Sequence, residues 1–330
     1  MRLLMLGGTE FAGRAVVEAA LGRGWDVTVF HRGRHAPPAG VRSLHGDRTA
    51  PDGLAALAEG EWDLVVDTWS AAPRAVRDTA QLLKDRVRRY VYVSSCSVYA
   101  WPQPAGYDED SPLVADASPD AGQTDYARDK RGGELAALDA FGAERALLVR
   151  AGLILGPYEN IGRLPWWLTR AARGGPLLAP GPRELPLQYI DVRDLAEWIL
   201  RAAEDGTGGA YNLISPSGHT TMGALLDTCA RVTGGRAEPR WTEPEVILAA
   251  GVEPWTQLPV WVPPGSELHD MLHRVDVSKA VRAGLRCRPV ADTVADTWSW
   301  LQDLGGRAPL RPDRPAVGLD PLVEEKILHG

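Results

Sequence analysis

Three side chains in the second quarter of the chain are of types that can move a proton: Ser95, Tyr126 and Lys130. Tyr126 and Lys130 stand four residues apart in a helical pattern, which puts both on one helix face. Free tyrosine has a pKa near ~10, and a nearby ammonium group lowers it towards neutral pH. Ser95 ends an apolar strand, where its hydroxyl can hydrogen-bond a reacting oxygen. We predict that the trio is catalytic, with Tyr126 as the acid–base group. A half-buried helix tyrosine and a strand-end serine that ties down the backbone are the alternative interpretations.

A glycine-rich turn at the start of the chain can hold the cofactor for such chemistry. The apolar strand from Leu3 to Leu6 runs into Gly7 and Gly8, and Gly13 follows in a helical pattern. Glycines allow a tight turn that approaches a pyrophosphate, and the helix N-terminus then presents free N–H groups. The predicted cofactor contacts in this turn are Gly7, Thr9, Glu10, Phe11, Ala12 and Gly13. A glycine-rich turn without any ligand is the alternative interpretation.

Glu10 stands where this motif normally has its middle glycine. A carboxylate beside a pyrophosphate is unfavourable unless its side chain points away or pairs with a cation. Arg14 and Arg32 are the two candidate partners, and the sequence leaves open which arrangement applies.

The residues after the second strand bear on the kind of dinucleotide. NAD sites of this type carry an acidic residue there, whereas this chain has His31, Arg32 and Arg34. Guanidinium groups bind a 2′-phosphate, so we predict NADP, with NAD less favoured. Asp47 and Arg48, after the third strand, are predicted to lie near the adenine. A solvated loop and an ordinary turn are the alternatives.

Composition excludes several classes of function. The chain has 330 residues and a formal net charge of −7, which argues against a nucleic-acid partner. Its three cysteines are widely separated and show neither disulfide nor metal spacing, so we expect no metal and a reducing compartment. The N-terminal apolar run is shorter than a signal peptide and no segment has the length of a membrane span, so a cytoplasmic protein without a membrane partner is expected.

Apolar strands alternate with helices through the first half, which predicts an α/β fold with a parallel sheet covered on both faces. The predicted strands are Leu3–Leu6, Asp26–Phe30, Val41–His45, Asp63–Asp67, Tyr90–Ser94 and Ala146–Arg150. The predicted helices that bear on the site are Ala72–Val87 and Thr124–Phe141. Ligands in such sheets bind at the carboxyl ends of the strands.

The second half is richer in proline and glycine and less regular. We predict a strand entering a helix at Gln188–Ala196, a strand at Tyr211–Ile214, a loop at Pro244–Pro264 and short helices at Asp276–Leu285 and Ala291–Leu301. The tail at Arg307–Arg314 is predicted to lie extended over the surface, before a last helix at Leu322–Leu328. The resulting division is a dinucleotide-binding domain of residues 1–155 and 188–214, a second domain of 156–187 and 215–305, and a tail of 306–330.

Five motifs together resemble an extended, partly atypical short-chain dehydrogenase/reductase of the epimerase/dehydratase-like superfamily. They are Gly7–Gly13, Ser94–Tyr99, Tyr126-x-x-x-Lys130, Gly156-Pro157 and Tyr189–Leu195. The resemblance implies a Rossmann-type doubly wound sheet, a smaller discontinuous substrate domain, and a homodimer built on the helices at 72–87 and 124–141. It implies further cofactor contacts from Thr68, Trp69, Ser94, Gly152 and Leu153. Sugar dehydratases of the family carry an Asp-Glu pair where this chain has Cys96-Ser97, so dehydration is disfavoured.

Tryptophan is unusually frequent, with 12 residues against three phenylalanines. Several lie in loops that this fold brings to the cleft, and an aromatic-walled pocket suits an apolar or aromatic small molecule, or a stacked sugar or base. The predicted substrate contacts are Cys96, Trp101, Tyr158, Arg163 and Trp166. Core packing is the alternative for the tryptophans, a small buried filler for Cys96, and an ordinary surface position for Arg163.

Three functional hypotheses follow. The first is an NADP(H)-dependent oxidoreductase that moves hydride between nicotinamide and a carbonyl, alcohol or imine. The second is a nucleotide-sugar epimerase that retains NAD(P). The third is an atypical member that binds NADP(H) or RNA without turnover, against which the intact Ser95, Tyr126 and Lys130 and the acidic charge argue.

Overall fold

The computed structural model describes residues 1–329, and its centre is a seven-stranded sheet in the order β11-β6-β5-β4-β1-β2-β3. Every neighbouring pair of strands in this sheet is parallel. The strands are β1 (Arg2–Leu6), β2 (Asp26–His31), β3 (Arg42–His45), β4 (Trp62–Asp67), β5 (Val87–Ser95), β6 (Ala146–Ala151) and β11 (Gly209–Leu213). The Rossmann-type parallel sheet predicted from the sequence is confirmed.

Helices cover both faces of this sheet, as near-continuous apolar strands require. One face packs against α1 (Phe11–Gly22) and α5 (Val192–Glu204), and the other against α2 (Pro73–Leu83) and α3 (Tyr126–Arg145). Each face has its own apolar core, centred on Val29 and Ile199 on the first side and on Val65 and Tyr90 on the second. A homodimer through α2 and α3 stays a prediction.

The order of the strands in the sheet determines where the site lies. Strands β1, β4 and β5 lie side by side at the centre, so their carboxyl ends meet at one edge. The chain leaves β1 into the glycine turn, leaves β4 at Thr68 and leaves β5 at Ser95. α3 then starts with Tyr126 beside the end of β5. The three chemistry-bearing segments of the sequence therefore converge at the edge where ligands of such sheets bind.

A further apolar core lies outside this sheet and is built from the segments that follow β6. Short strand pairs and helices surround Trp167, Leu226 and Trp261, all fully buried or nearly so. The strands are β7 (Ile154–Leu155), β8 (Gly175–Pro180), β9 (Pro186–Leu187), β10 (Ile190–Asp191), β12 (Thr220–Thr221), β13 (Ala237–Thr242), β14 (Pro254–Trp255) and β15 (Leu258–Pro259). The helices are α4 (Arg163–Arg173), α6 (Met222–Val232), α7 (Pro244–Ala249), α8 (Glu267–His273), α9 (Ser278–Arg282), α10 (Val290–Asp303) and α11 (Pro321–His329). The domain limits given above stay a prediction.

Three predicted elements differ from the structure. α2 ends at Leu83, because Val87 is already the first residue of β5. The segment 244–264, predicted as loop, contains the two-turn helix α7 and the short strands β14 and β15. The helix expected from 276 to 285 is limited to α9: Asp276 accepts the backbone N–H of Ser278 in a turn before the helix, and Gly284, with a positive φ of 81°, follows its end.

Over residues 1–329, none of the helices combines the length and apolar character needed to cross a membrane.

Candidate active site

The glycine turn between β1 and α1 is shaped by close contacts that exclude side chains. Gly7 and Gly8 have positive φ angles of 105° and 84°, in the region that favours glycine. A Cβ atom on Gly13 would lie 2.8 Å from the backbone nitrogen of Gly8, so the helix approaches the turn closely only because position 13 is glycine. Thr68 covers the turn, since its hydroxyl donates to the carbonyl oxygen of Leu6 over 3.3 Å. This geometry fits the cradle that a dinucleotide pyrophosphate requires.

Phe11, the first residue of α1, adopts a positive φ of 33°. Such backbone strain in a non-glycine residue costs about 1–3 kcal/mol and persists where the surroundings impose it, commonly at ligand sites. Thr9, two residues before Phe11, and Ala12, directly after it, are half-buried. The start of α1 thus carries backbone strain next to the glycine turn.

The Glu10 carboxylate lies beside the chain after β7. Its Oε1 accepts a hydrogen bond from Asn160 over 3.4 Å and lies 3.9 Å from the His35 ring nitrogen. Arg14, one of the two partners considered from the sequence, pairs with Glu18 at 2.8 Å instead. The acidic side chain thus contacts neighbours at the rim of the turn.

The end of β2 presents two exposed guanidinium groups. Arg32 and Arg34 are exposed, and within residues 1–329 neither comes within 4.0 Å of a carboxylate oxygen. His31 is buried against His45, with ring centres 4.6 Å apart, and burial together with His45 lowers the pKa of its imidazole. Thr49 hydrogen bonds hold the pKa of Asp47 below its usual range, with smaller contributions from Arg32 and Arg34. A neutral histidine and two free cations thus face the region expected for the adenosine ribose.

Arg48 sits in the core beneath this region. Its guanidinium forms two hydrogen bonds of 2.7 and 2.8 Å with Asp67, and Asp67 also accepts from the Tyr90 hydroxyl at 2.6 Å. The Trp69 ring covers the guanidinium at 5.1 Å. The structure therefore gives Arg48 a structural ion pair, and its predicted contact with the cofactor stays a prediction. Sequence reasoning missed Asp67, although its place at the end of β4 was visible.

The three predicted catalytic side chains lie at the ends of neighbouring elements. Ser95 ends β5, and its hydroxyl oxygen accepts the backbone N–H of Ser97 over 3.1 Å. Tyr126 opens α3 behind the capping side chain of Asp125 and is 39% exposed. Lys130, one turn further, is only 3% exposed. The backbone thus fixes the serine hydroxyl, while the phenol faces the cleft.

The Lys130 ammonium group is held between two strands. It donates to the carbonyl oxygens of Trp69 and Val93 at 2.6 and 2.7 Å, and lies 4.9 Å from the centre of the Tyr92 ring. Burial lowers the pKa of Lys130 to about 7, although Asp67 and Glu134 favour its charge. Two of its three N–H donors are occupied, which leaves one for another acceptor.

The remaining predicted cofactor contacts lie at the carboxyl ends of β5 and β6. Gly152 comes directly after β6, and a Cβ atom there would lie 2.2 Å from Ile214. Leu153 is buried, and its carbonyl accepts the N–H of Ile190. The Ser94 hydroxyl is buried without a hydrogen-bond partner among the described residues. These positions are close-packed, so a ligand meets backbone here rather than flexible side chains.

Two of the predicted substrate contacts, Cys96 and Trp101, follow the end of β5. The Cys96 thiol donates to the carbonyl oxygen of Arg150 over 3.2 Å inside the core, and burial raises the pKa of the thiol to about 12. Trp101 is 55% exposed on the loop after β5. Their substrate role stays a prediction.

Tyr158, Arg163 and Trp166 lie on the segment that follows β7 and enters α4, and they form the aromatic wall. The Arg14 guanidinium lies 4.4 Å from the Tyr158 ring centre, which links this wall to the glycine turn. The Arg163 guanidinium lies 5.0 Å from the Trp255 ring centre. Tyr158 and Trp255 both have positive φ angles, of 68° and 66°. An aromatic wall held in strained backbone suits the recognition of a ligand.

The C-terminal tail reaches this site, which the sequence did not indicate. Arg314 lies with its guanidinium carbon 5.3 Å from the centre of the Tyr126 ring. Arg311 donates its backbone N–H to the carbonyl oxygen of Asn160 at 3.0 Å. The sequence signal was only a Pro/Arg-rich composition, which has no periodicity and indicates no partner.

Within residues 1–329 no three histidine, cysteine or carboxylate side chains cluster as metal ligands.

Comparisons with known proteins agree with this geometry. The model of the NAD dependent epimerase/dehydratase family matches residues 3–213. No curated protein matches the sequence.

Solved structures with the same fold include the enzyme WbmG of Bordetella bronchiseptica in complex with NAD and UDP. It is 19% identical, with a TM-score of 0.67, over 96% of this chain and 99% of that one. The UDP-glucuronic acid 4-epimerase from Bacillus cereus, solved with NAD, is 15% identical at a TM-score of 0.64, over 92% and 99% of the two chains. The human epimerase family protein SDR39U1, solved with NADPH, is 23% identical with a TM-score of 0.59, over 91% of this chain and 99% of that one.

Proposed function

Since the chain belongs to the NAD dependent epimerase/dehydratase family, we propose that it is an NADP(H)-dependent oxidoreductase acting on a carbonyl, alcohol or imine of a small metabolite. The observation that carries this proposal is the convergence of Ser95, Tyr126 and Lys130 with the glycine turn at one edge of the sheet. A nicotinamide cofactor supplies or takes up hydride when bound there.

The residues of the chain have distinct tasks in this proposal. The Ser95 hydroxyl, whose oxygen is fixed by the N–H of Ser97, donates a hydrogen bond to the reacting oxygen. The Tyr126 phenol gives its proton to that oxygen during reduction and takes it back during oxidation. Lys130 uses its remaining N–H to hold the nicotinamide ribose, and its charge favours the phenolate.

The free cations after β2 support NADP over NAD. A 2′-phosphate binds guanidinium groups through charge-assisted hydrogen bonds, and Arg32 and Arg34 are exposed with no carboxylate partner in the described chain. His31 is uncharged at neutral pH because burial lowers its pKa, so it neither repels nor attracts the phosphate. Human SDR39U1 was solved with NADPH, whereas WbmG and the Bacillus cereus epimerase were solved with NAD.

A nucleotide-sugar epimerase is the second candidate, favoured by the family and by the relatives solved with NAD. Such an enzyme oxidises and reduces one substrate in turn and keeps its dinucleotide bound throughout. The two candidates therefore differ in whether the cofactor leaves.

The cofactor released by denaturing the purified protein distinguishes them. A reductase is expected to yield substoichiometric dinucleotide and to consume added NADPH with a panel of aromatic and aliphatic carbonyl compounds. Stoichiometric NAD in the mass spectrum, with no net NADPH consumption, would contradict the reductase and favour the epimerase. Failure to bind any nicotinamide dinucleotide would contradict both.

A further inference from the structure

Two arginines close to Tyr126 form no ion pair within 4.0 Å in residues 1–329. Arg163 is the first residue of α4 and Arg314 lies in the C-terminal tail, so the sequence separates them by half of the chain. Across residues 1–329 neither guanidinium comes within 4.0 Å of a carboxylate oxygen, whereas Arg311 pairs with Asp313 at 2.6 Å. The Nε atoms of Arg163 and Arg314 are both buried without a hydrogen-bond partner in that part of the chain.

Both guanidinium groups lie over aromatic rings. The Arg314 guanidinium carbon lies 5.3 Å from the centre of the Tyr126 ring, and that of Arg163 lies 5.0 Å from the centre of the Trp255 ring. Burial lowers the pKa of Arg163, and the charge of Arg314 acts in the same direction. Two cations thus approach each other in a partly desolvated aromatic wall.

One acidic side chain, that of Glu159, lies close to Arg163 but is hydrogen-bonded to the backbone. Glu159 is fully buried and accepts the backbone N–H groups of Arg163 and Leu164 at 2.6 and 3.0 Å. Burial raises the pKa of this carboxyl to about 7. Glu159 therefore caps the start of α4 and compensates the two guanidinium groups only in part.

The tail is anchored on both sides of Arg314, so this arginine is held in place. Arg311 is tied by its backbone to Asn160 at 3.0 Å, and Gly318 by its N–H to the carbonyl oxygen of Thr256 at 2.9 Å. Gly318 also packs against Trp166, since a Cβ atom at this glycine would lie 2.1 Å from the indole nitrogen. The tail is thus built into the substrate wall.

We infer that Arg163 and Arg314 form a site for an anionic group, a carboxylate or a phosphate, on the substrate that reacts at Tyr126. Unpaired buried charge is costly, and an anion between the two guanidinium groups removes both the repulsion and the unmet hydrogen-bond donors. The inference rests on the proposed function, because it assigns the anion to that reaction's substrate. In the proposed function the cofactor phosphates are held by other residues, those of the glycine turn and Arg32 and Arg34 after β2.

The test uses the full chain saturated with NADPH, so that the glycine turn is filled, and titrates inorganic phosphate and acetate by calorimetry. We expect at least one of the two anions to bind, and Arg163→Gln and Arg314→Gln each to weaken it by about 10-fold or more. Arg307→Gln is the matched control, since Arg307 is an exposed arginine of the same tail. It should bind like the wild type.

Wild-type-like anion binding by both Arg163→Gln and Arg314→Gln would overturn the site, as would the absence of binding to the unmodified protein at millimolar anion. Arg163→Lys, which keeps the charge and the packing, should recover part of the affinity and so excludes a merely structural effect. NADPH affinity, measured on the same samples, reports on the proposed function separately. Variants that lose the anion but keep NADPH support the site.

Discussion

The ammonium group of Lys130 donates a hydrogen bond of 2.6 Å to the carbonyl oxygen of Trp69, the second residue after β4. A second hydrogen bond runs from the same group to the carbonyl oxygen of Val93 in β5. The two bonds tie α3 to the sheet edge one helical turn after Tyr126. The same residue that is proposed to hold the ribose thus fixes the position of the acid–base helix. Its burial has a consequence for the stability of the protein.

Lys130 should make the stability of the protein rise with pH above neutrality. Its pKa is about 7 in the folded protein and near the ordinary lysine value of 10.5 when unfolded. Between these values the unfolded chain binds a proton that the folded chain does not, so the free energy of unfolding increases with pH, by up to about 1.4 kcal/mol per unit. Below about pH 7 both states are charged and this contribution is constant.

Lys130→Met measures this effect directly. We expect the difference in unfolding free energy between wild type and variant to move in favour of the wild type from about pH 6 to about pH 9, in urea titrations. A difference that is the same at both pH values would show that Lys130 keeps an ordinary pKa in the fold.

The Arg48–Asp67 pair should be structural. Both side chains are buried, so Arg48→Met leaves an uncompensated carboxylate in the core and should cost about 3–5 kcal/mol of unfolding free energy. Adding Asp67→Asn should recover part of that loss. Arg32→Met, at an exposed arginine, should stay within about 0.5 kcal/mol of the wild type. Equal stability of Arg48→Met and Arg32→Met would show that the pair contributes nothing.

The cysteines should be unreactive in the native protein. Burial raises the pKa of Cys96 and of Cys287 to about 12, and it raises that of Cys229 as well, so little thiolate forms at neutral pH. Iodoacetamide should add slowly to the folded chain and three times to the unfolded one, as read from intact mass. Rapid native alkylation of Cys96, mapped by peptide mass, would indicate an open thiol at the cleft.

Tyr126→Phe should remove proton transfer while leaving cofactor binding intact. Loss of a general acid–base group lowers turnover by about 10²–10⁴-fold. We expect this loss in kcat, measured with any carbonyl compound found to consume NADPH, at unchanged NADPH affinity. Tyr211→Phe, a tyrosine of β11 that packs against Trp198, is the matched control. Full activity of Tyr126→Phe would rule out the proposed proton donor.

The sheet was predictable from the sequence because its strands are buried on both faces and therefore read as apolar runs. The order of Ser95, Tyr126 and Lys130 along the chain could also be predicted to matter. The shared helix face of Tyr126 and Lys130 follows from their four-residue spacing alone. The end of α2 was not, because Val87 continues the helical spacing of Val76, Ala80 and Leu83 although it starts β5.

Long-range partners account for what the sequence did not indicate. Arg48 looked available for the cofactor because Asp67, its partner, is 19 residues away. Likewise, the tail reaches Tyr126 through backbone contacts with Asn160 and Thr256 that leave no pattern in the composition. Such contacts depend on the folded arrangement of distant segments.

The central claim is tested most directly by the relative affinity for the two reduced dinucleotides, measured by fluorescence titration. The wild type should bind NADPH at least about 10-fold more tightly than NADH, because Arg32 and Arg34 meet the 2′-phosphate, and Arg32→Asp should reverse the order. Arg307→Asp, the same charge change at an exposed tail arginine, should leave the ratio unaltered. Equal affinity of the wild type for NADPH and NADH, or an unchanged ratio in Arg32→Asp, would contradict the account.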